Sequence, residues 1–370
     1  MQRSVFPIFF LLLIIALVTQ AQVDRDSFSE SKAYEPRVFP SSKKDQKKKK
    51  VNDPKPTETP TATTLPSGVS GKDSLTLLVA PFGKDGHFVV DLKPKEFEAF
   101  VDDQPVEVTK VVSEDKPIDI VLVLDMSSSA TEKEKQIKDA ATQLVRSLPL
   151  DDRVMVIGFA GKAIISSDFS ADHATVLKAI DKLRQMDDGT SLYSTIAELH
   201  LKKLMGASER TAVIIMTDGV DTTSQNYTYS SSLEMAEKAG VIDFPVYLDT
   251  FVDATTLKVP PGAASIPPGL AAILRATTIP PGGVAMKEDY DRGKLYLTDL
   301  LWLSGGRSVI LKTGSDPAFD ALLAVPVEMR FRYAVTFKLP AAGKAGDRHR
   351  IKIRINRPGL TILAKGSYIS

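Results

Sequence analysis

Ile118-Asp119-Ile120-Val121-Leu122-Val123-Leu124-Asp125-Met126-Ser127-Ser128-Ser129 is the stretch that decides the fold. Its apolar run stops abruptly at Asp125, and hydroxyls follow at alternate positions, Ser127 and Ser129. A run that is apolar on both alternating faces predicts a central strand of a parallel sheet, covered on both sides. The Asp and the hydroxyls then fall on the loop at the strand's carboxyl end, ahead of a helix, where open α/β sheets place their ligand sites. A carboxylate beside two hydroxyls is hard oxygen chemistry, suited to Mg2+ and not to a thiolate-loving metal.

Downstream of this stretch the pattern alternates between strands and helices, the signature of a doubly wound α/β domain. Ile137, Ala140, Ala141, Leu144, Val145 and Leu148 recur at helical spacing, and 153–159 reads as the next strand. Ile164 to Ser167 fits a short edge partner, and Asp172 caps a helix carrying Val176, Leu177, Ile180 and Leu183. Gly189-Thr190-Ser191 opens a helix through Leu192, Ile196, Leu199 and Leu204. A second wholly apolar strand, Thr211 to Met216, ends in Thr217-Asp218-Gly219. Ser231 to Ala239 is helical, and Phe244 to Leu248 a further strand. At 253–286 three Pro-Pro-Gly triplets interrupt the rhythm. Their spacing is irregular, which excludes collagen and leaves a proline-stiffened surface excursion. Helix and strand resume at Leu295 to Leu303 and Arg307 to Leu311.

Both flanks read as β. Upstream, 74–112 carries short apolar-alternating runs, among them Leu75 to Ala80, His87 to Asp91, Phe97 to Val101 and Val106 to Val111, with turns at Gly83 to Gly86 and Asp102 to Gln104. Downstream, 328–370 alternates through Arg330 to Phe337 and Arg350 to Ile355. The alternating Lys and Arg suit the solvated face of an antiparallel strand; no aromatic residues interleave to stack bases, so nucleic acid is not expected. The ends of an inserted domain lie close together. The two β flanks are therefore expected to pair into one small sandwich beside an α/β domain spanning 116–315.

The N-terminus bears on compartment. Arg3, the apolar Val5 to Val18 and the small residues before Gln22 match a secretory signal at 1–21, cleaved after Ala21. The alternative is an uncleaved anchor, which would bring membrane association; the apolar core is shorter than the ~20 residues a full span needs. A secreted or periplasmic protein is the expectation. Residues 22–72, with the lysine run 43–50 and the Pro/Thr-rich 54–61, read as a disordered linker. The net charge of +1 argues for no polyanionic partner, and the absence of cysteine excludes disulfides, Cys-ligated zinc and thiol nucleophiles.

In a doubly wound sheet three loops are expected to converge at the carboxyl edge: Asp125 to Ser129, Asp188 to Ser191 and Thr217 to Gly219. Together they offer hydroxyls from Ser127, Ser129 and Thr190 and carboxylates from Asp125 and Asp218. Mg2+ takes six oxygens and keeps several waters, so such a cage leaves a position for an anionic oxygen of a partner. Single Ser, Thr or Asp residues after strands also serve as helix caps; the convergence of five favours a metal. Asp221 fits either a supporting residue or a turn residue, and Asp119 either a ladder-edge charge or a contact to the β flank.

Asp125-x-Ser127-x-Ser129, then Thr190, then Asp218-Gly219 resembles the metal-ion-dependent adhesion site (MIDAS) of von Willebrand factor A domains. The flanks around Val89 to Phe97, Ser304 to Arg307 and Arg348 to Lys352 are similar to exported bacterial proteins with a VWFA-related domain. The resemblance implies a Rossmann-like α/β domain and metal ligation by Asp125, Ser127, Ser129, Thr190 and Asp218. It also implies Mg2+ as cofactor, with Mn2+ or Ca2+ as substitutes, and a non-enzymatic adhesion or protein-interaction role toward a protein offering Asp or Glu. Ser128 departs from the glycine common at that place. Two other readings compete. One is a Mg2+-dependent phosphatase-like hydrolase with Asp125 as nucleophile, which needs a second acid where this chain has Ser127 and Ser129. The other is a structural scaffold whose site is unused.

Overall fold

The computed structural model describes residues 73–370 apart from 85–86, 114–115, 128–133, 187–188, 209, 249–286, 308, 312–316, 341–343 and 345. The leader-like segment, the Lys- and Pro-rich stretch, the Pro-Pro-Gly excursion and Ser129 lie outside the described residues.

The upstream flank forms β1 (Ser74–Phe82), β2 (Phe97–Val101), β3 (Gln104–Val106) and β4 (Val108–Val112). The next six strands are β5 (Asp119–Asp125), β6 (Arg153–Phe159), β7 (Ala163–Ser170), β8 (Thr211–Thr217), β9 (Ile242–Leu248) and β10 (Val309–Leu311). Between and after them run α1 (Glu134–Ser147), α2 (His173–Lys182), α3 (Leu192–Leu199), α4 (Tyr229–Ala239), α5 (Lys287–Ser304) and α6 (Pro317–Phe331). The chain closes with β11 (Tyr333–Lys338), β12 (Arg348–Ile355), β13 (Thr361–Leu363) and β14 (Ser367–Ile369).

The central sheet has the order β10-β9-β8-β5-β6-β7, parallel except for the edge strand β7. The strand order reverses between β5 and β8, so their carboxyl ends flank the topological switch point. The unbroken apolar run of β5 has a direct cause. Ile120, Leu122 and Leu124 enter the core under α1, α2 and α6, while Val121 and Val123 enter the core under α3, α4 and α5. Asp119, whose role the sequence left open, is a ladder-edge charge: it pairs with Arg153 on the adjacent parallel strand at 2.7 Å.

The two flanks interleave. One four-stranded sheet has the order β13-β1-β11-β4 and the other β14-β12-β2-β3, and each draws strands from both ends of the chain. Leu75, Leu77 and Val79 of β1 share a buried cluster with Phe97, Ala99 and Val101 of β2, Val335 and Phe337 of β11 and Ile351 and Ile355 of β12. Asp102 and Asp103 both adopt positive φ, 48° and 63°, in the tight turn between β2 and β3, as mirror-image hairpin turns require. The basic residues of β12 meet carboxylates of β2 and its turn: Arg350 pairs with Asp103 at 2.9 Å and Arg354 with Glu98.

Three expectations need correction. His87 to Asp91 is not a strand; it makes a single bridge, Phe88 to Phe82, because the slot beside Ala80 to Phe82 is taken by β13. The run Val106 to Val111 is split into β3 and β4, which belong to different sheets. At the other flank, residues 328–331 are the last turn of α6, and β structure starts only at Tyr333. Pro326 inside α6 hid that helix, since proline within a helix removes a hydrogen bond and is normally a helix breaker.

Candidate metal centre

β5 ends at Asp125, whose side chain is fully buried. The ladder continues one residue further: Met126 N–H donates to the Phe159 carbonyl and Met126 O accepts from Met186 N–H, both at 2.8 Å. Asp125 Oδ1 accepts from Ser127 N–H at 3.0 Å, turning the chain back over the strand end. Its Oδ2 accepts from Thr217 Oγ1 at 2.6 Å, which ties the end of β5 to the end of β8. Thr217 Oγ1 in turn accepts from Gly219 N–H at 3.0 Å, and Asp218 Oδ1 accepts from Val220 N–H at 3.1 Å. Asp125 and Asp218 are thus two fully buried carboxylates on adjacent strand ends. Both oxygens of Asp125 are engaged, so its use as a nucleophile would begin by breaking a hydrogen bond.

The second loop is stitched to the third by residues the sequence reading missed. Thr190 O accepts from Thr222 N–H at 2.8 Å and Thr223 N–H at 3.0 Å, while Thr190 N–H donates to Thr222 Oγ1 at 2.8 Å. Ser191 Oγ donates to the Gly161 carbonyl at 2.8 Å and lies 2.8 Å from Thr223 Oγ1. Asp221 Oδ2 accepts from Tyr193 N–H at 2.9 Å and Ser224 Oγ at 2.6 Å. Asp221 therefore secures the start of α3 and its own turn together. The run Asp221-Thr222-Thr223-Ser224 was the available signal: four short polar side chains directly after a strand-end loop suit local hydrogen bonding to backbone.

Gly219 and Gly293 form a second support. Gly219 has φ +79°, and a Cβ built on Gly293 of α5 would lie 2.6 Å from the Gly219 backbone. Two bare backbones touch, and the third loop rests on the helix. On helix propensity alone Gly293→Ala would gain about 1 kcal/mol. The contact reverses the sign: the expected outcome is a loss of about 1–3 kcal/mol, seen as a lowered Tm in thermal unfolding.

Of the five residues singled out by spacing, Asp125, Ser127, Thr190 and Asp218 are described; Ser129 is not. Asp125 bonds Ser127 N–H and Thr217, the residue before Asp218, and Thr190 is tied through its backbone to Thr222 and Thr223, just beyond the third loop. Burial, then repulsion from Asp218, pushes the Asp125 carboxyl up to about 7. No cluster of three or more His, Cys, Asp or Glu able to hold a metal exists among the described residues, so an ion here would rest on two carboxylates and hydroxyls. Such a set fits a hard divalent cation: all donors are oxygens, and a cation is what relieves two mutually repelling buried carboxylates.

Residues 120–220 match the family model of the von Willebrand factor type A domain. Over the matched residues the sheet order and the strand-end loops accord with a von Willebrand factor A fold. Among solved structures the chain is similar to BatB from Bacteroides thetaiotaomicron, at 16% identity over 57% of this chain and 98% of that one, with a TM-score of 0.40. It is also similar to proximal thread matrix protein 1 from the mussel byssus with a zinc-occupied MIDAS motif, at 17% identity over 64% of this chain and 50% of that one, TM-score 0.38. The vWF domain of the type V pili tip protein Mfa5 from Porphyromonas gingivalis is 24% identical over 30% of this chain and 40% of that one, TM-score 0.26. No curated protein matches the chain.

Proposed function

We propose that this protein is a metal-dependent protein-interaction module in which Asp125, Ser127, Ser129, Thr190 and Asp218 hold a divalent cation, Mg2+ in the first instance. The observation that carries the reading is the pair of fully buried carboxylates, Asp125 and Asp218, at the two strand ends that flank the switch point. Neutral hydroxyls supply the remaining protein donors, so the bound ion keeps an affinity for one more anionic oxygen. A partner protein supplies it from an Asp or Glu. The module works outside the cytoplasm, a reading that rests on the leader-like 1–21. No helix among the described residues is long and apolar enough to cross a membrane.

Capture of interacting proteins by the purified chain, with Mg2+ and with chelator, tests the reading. Capture that depends on Mg2+ and is lost in Asp218→Ala supports it. Capture indifferent to both overturns the metal-bridging role. Turnover of a generic phosphomonoester, lost in Asp125→Asn, would favour hydrolysis instead.

A further inference from the structure

Helix α3 runs on into a π turn, His200–Leu204, a feature that recurs at functional sites. His200, at its start, is fully buried. Its Nδ1 lies 2.8 Å from the Ile196 carbonyl oxygen and its Nε2 3.1 Å from Asp243 Oδ1. A backbone carbonyl and an ionised carboxylate are both acceptors only, whereas a neutral imidazole has a single N–H. The geometry therefore calls for an N–H on each ring nitrogen, one donated to the Ile196 carbonyl and one to Asp243 Oδ1. Asp243 Oδ2 is buried with no hydrogen-bond partner among the described residues. Loss of the proton would leave acceptors facing one another in a dry interior.

This pair lies under the contact between the α/β domain and the sandwich. Asp243 N–H donates to Ser304 Oγ at 3.0 Å. A Cβ on Gly306 would sit 1.9 Å from the Asp243 carbonyl oxygen, and one on Gly305 2.4 Å from Lys365 N. The turn after α5 is thus pressed between Asp243 and the link from β13 to β14. Lys365 Nζ donates to the Glu237 carbonyl of α4. The Glu237 carboxylate takes Arg348 of β12 through Nη2 at 2.6 Å, and also Ser367 Oγ. The charged and titratable groups facing the pair are Lys365, with Glu237 and Arg348 behind it, and Tyr296 of α5.

We propose that the proton shared by His200 and Asp243 is a latch on this contact: held, it keeps β9, the π turn and the turn at 305–306 seated against Lys365; lost, it loosens the sandwich from the α/β domain. Burial works against the His200 imidazolium, yet Asp243 and the Ile196 carbonyl outweigh it, so the His200 pKa is raised. A raised folded-state pKa gives stability that is full below the unfolded value of ~6.5 and is lost as pH rises through the folded value. Lys365 acts in the opposite sense, since burial lowers its ammonium to about 8; its contribution recovers as pH rises above that value. The window in which the latch stands alone is therefore roughly pH 6.5 to 8.

Hydrogen exchange of the full chain across that window, corrected for the intrinsic pH dependence of exchange, tests the proposal. The opening constant of 364–369 and of the end of α4 is expected to rise with pH, by up to about tenfold per unit. Asp243→Asn puts an amide N–H opposite a neutral Nε2, removes the need for the extra proton and is expected to flatten the profile. His200→Gln, whose amide can donate to Asp243, is expected to do the same. A flat wild-type profile, or a variant as steep as wild type, overturns the latch; if neither variant folds, the wild-type profile alone decides.

Discussion

Titration of Mg2+ into Asp125→Asn is expected to give no heat of binding, and this variant is expected to unfold at a higher temperature than metal-free wild type. The two effects have one origin. In the wild type, Asp125 is buried beside Asp218, and ionising both without a cation opposes folding at neutral pH. The amide keeps the shape and one acceptor but removes the repulsion, a gain of about 1–2 kcal/mol in the metal-free protein. The wild type should recover more than this from the ion, about 2.7 kcal/mol when free Mg2+ is a hundredfold above Kd. Its Tm should then rise by about 2–4 °C per kcal/mol, while the Tm of the variant stays put. Calorimetry and thermal unfolding with and without Mg2+ check both halves. A variant that still binds the ion, or a wild type that never does, rules out the metal cage.

The second large effect is expected far from that site. Arg332, the single residue between α6 and β11, is fully buried. It donates to Glu328 one helical turn earlier and to the Gly305 carbonyl at 2.9 Å, and its guanidinium lies 5.7 Å from the centre of the Phe244 ring. Arg307 also bonds Glu328, at 2.5 Å. The opposing charges of Arg332 and Arg307 hold the Glu328 carboxyl below its ordinary range even though burial raises it. Arg332→Ala leaves a cavity and strips one partner from a buried carboxylate, so a loss of about 3–5 kcal/mol is expected in denaturant unfolding. Replacing the pair together, Arg332→Met with Glu328→Leu, should recover most of that loss, because an apolar pair of similar volume avoids burying either charge. A double variant as unstable as Arg332→Ala would show that volume rather than unpaired charge is responsible.

Much of the α/β domain was legible because its strands are short and wholly apolar. Both cores draw on β5, so no polar residue interrupts Ile120 to Leu124, and periodicity alone located that strand. Two of the candidate loops were legible for a related reason: Asp125 and Asp218 stand where a wholly apolar strand run stops, while Thr190 stands just ahead of a helix. What escaped was anything set by competition between segments. His87 to Asp91 has a strand's alternation but lost its place beside β1 to β13, from the opposite end of the chain. The polar run holding Thr222 and Thr223 signals local hydrogen bonding but not its partner, and Gly293 carries no signal of its own; their roles arise from what faces them.

By itself, the sequence determined a doubly wound α/β domain between two β flanks and a constellation of acids and hydroxyls at one sheet edge. Local hydrophobic period and the chemistry of strand-end residues suffice for that. Only the tertiary structure decided that the flanks interleave strand by strand, that Asp125 and Asp218 are buried close enough to repel, and that His200 meets Asp243 beneath the sandwich. Those are contacts between residues tens to hundreds of positions apart. Their energies depend on burial and on which partner arrives, quantities that exist only once the chain has closed on itself.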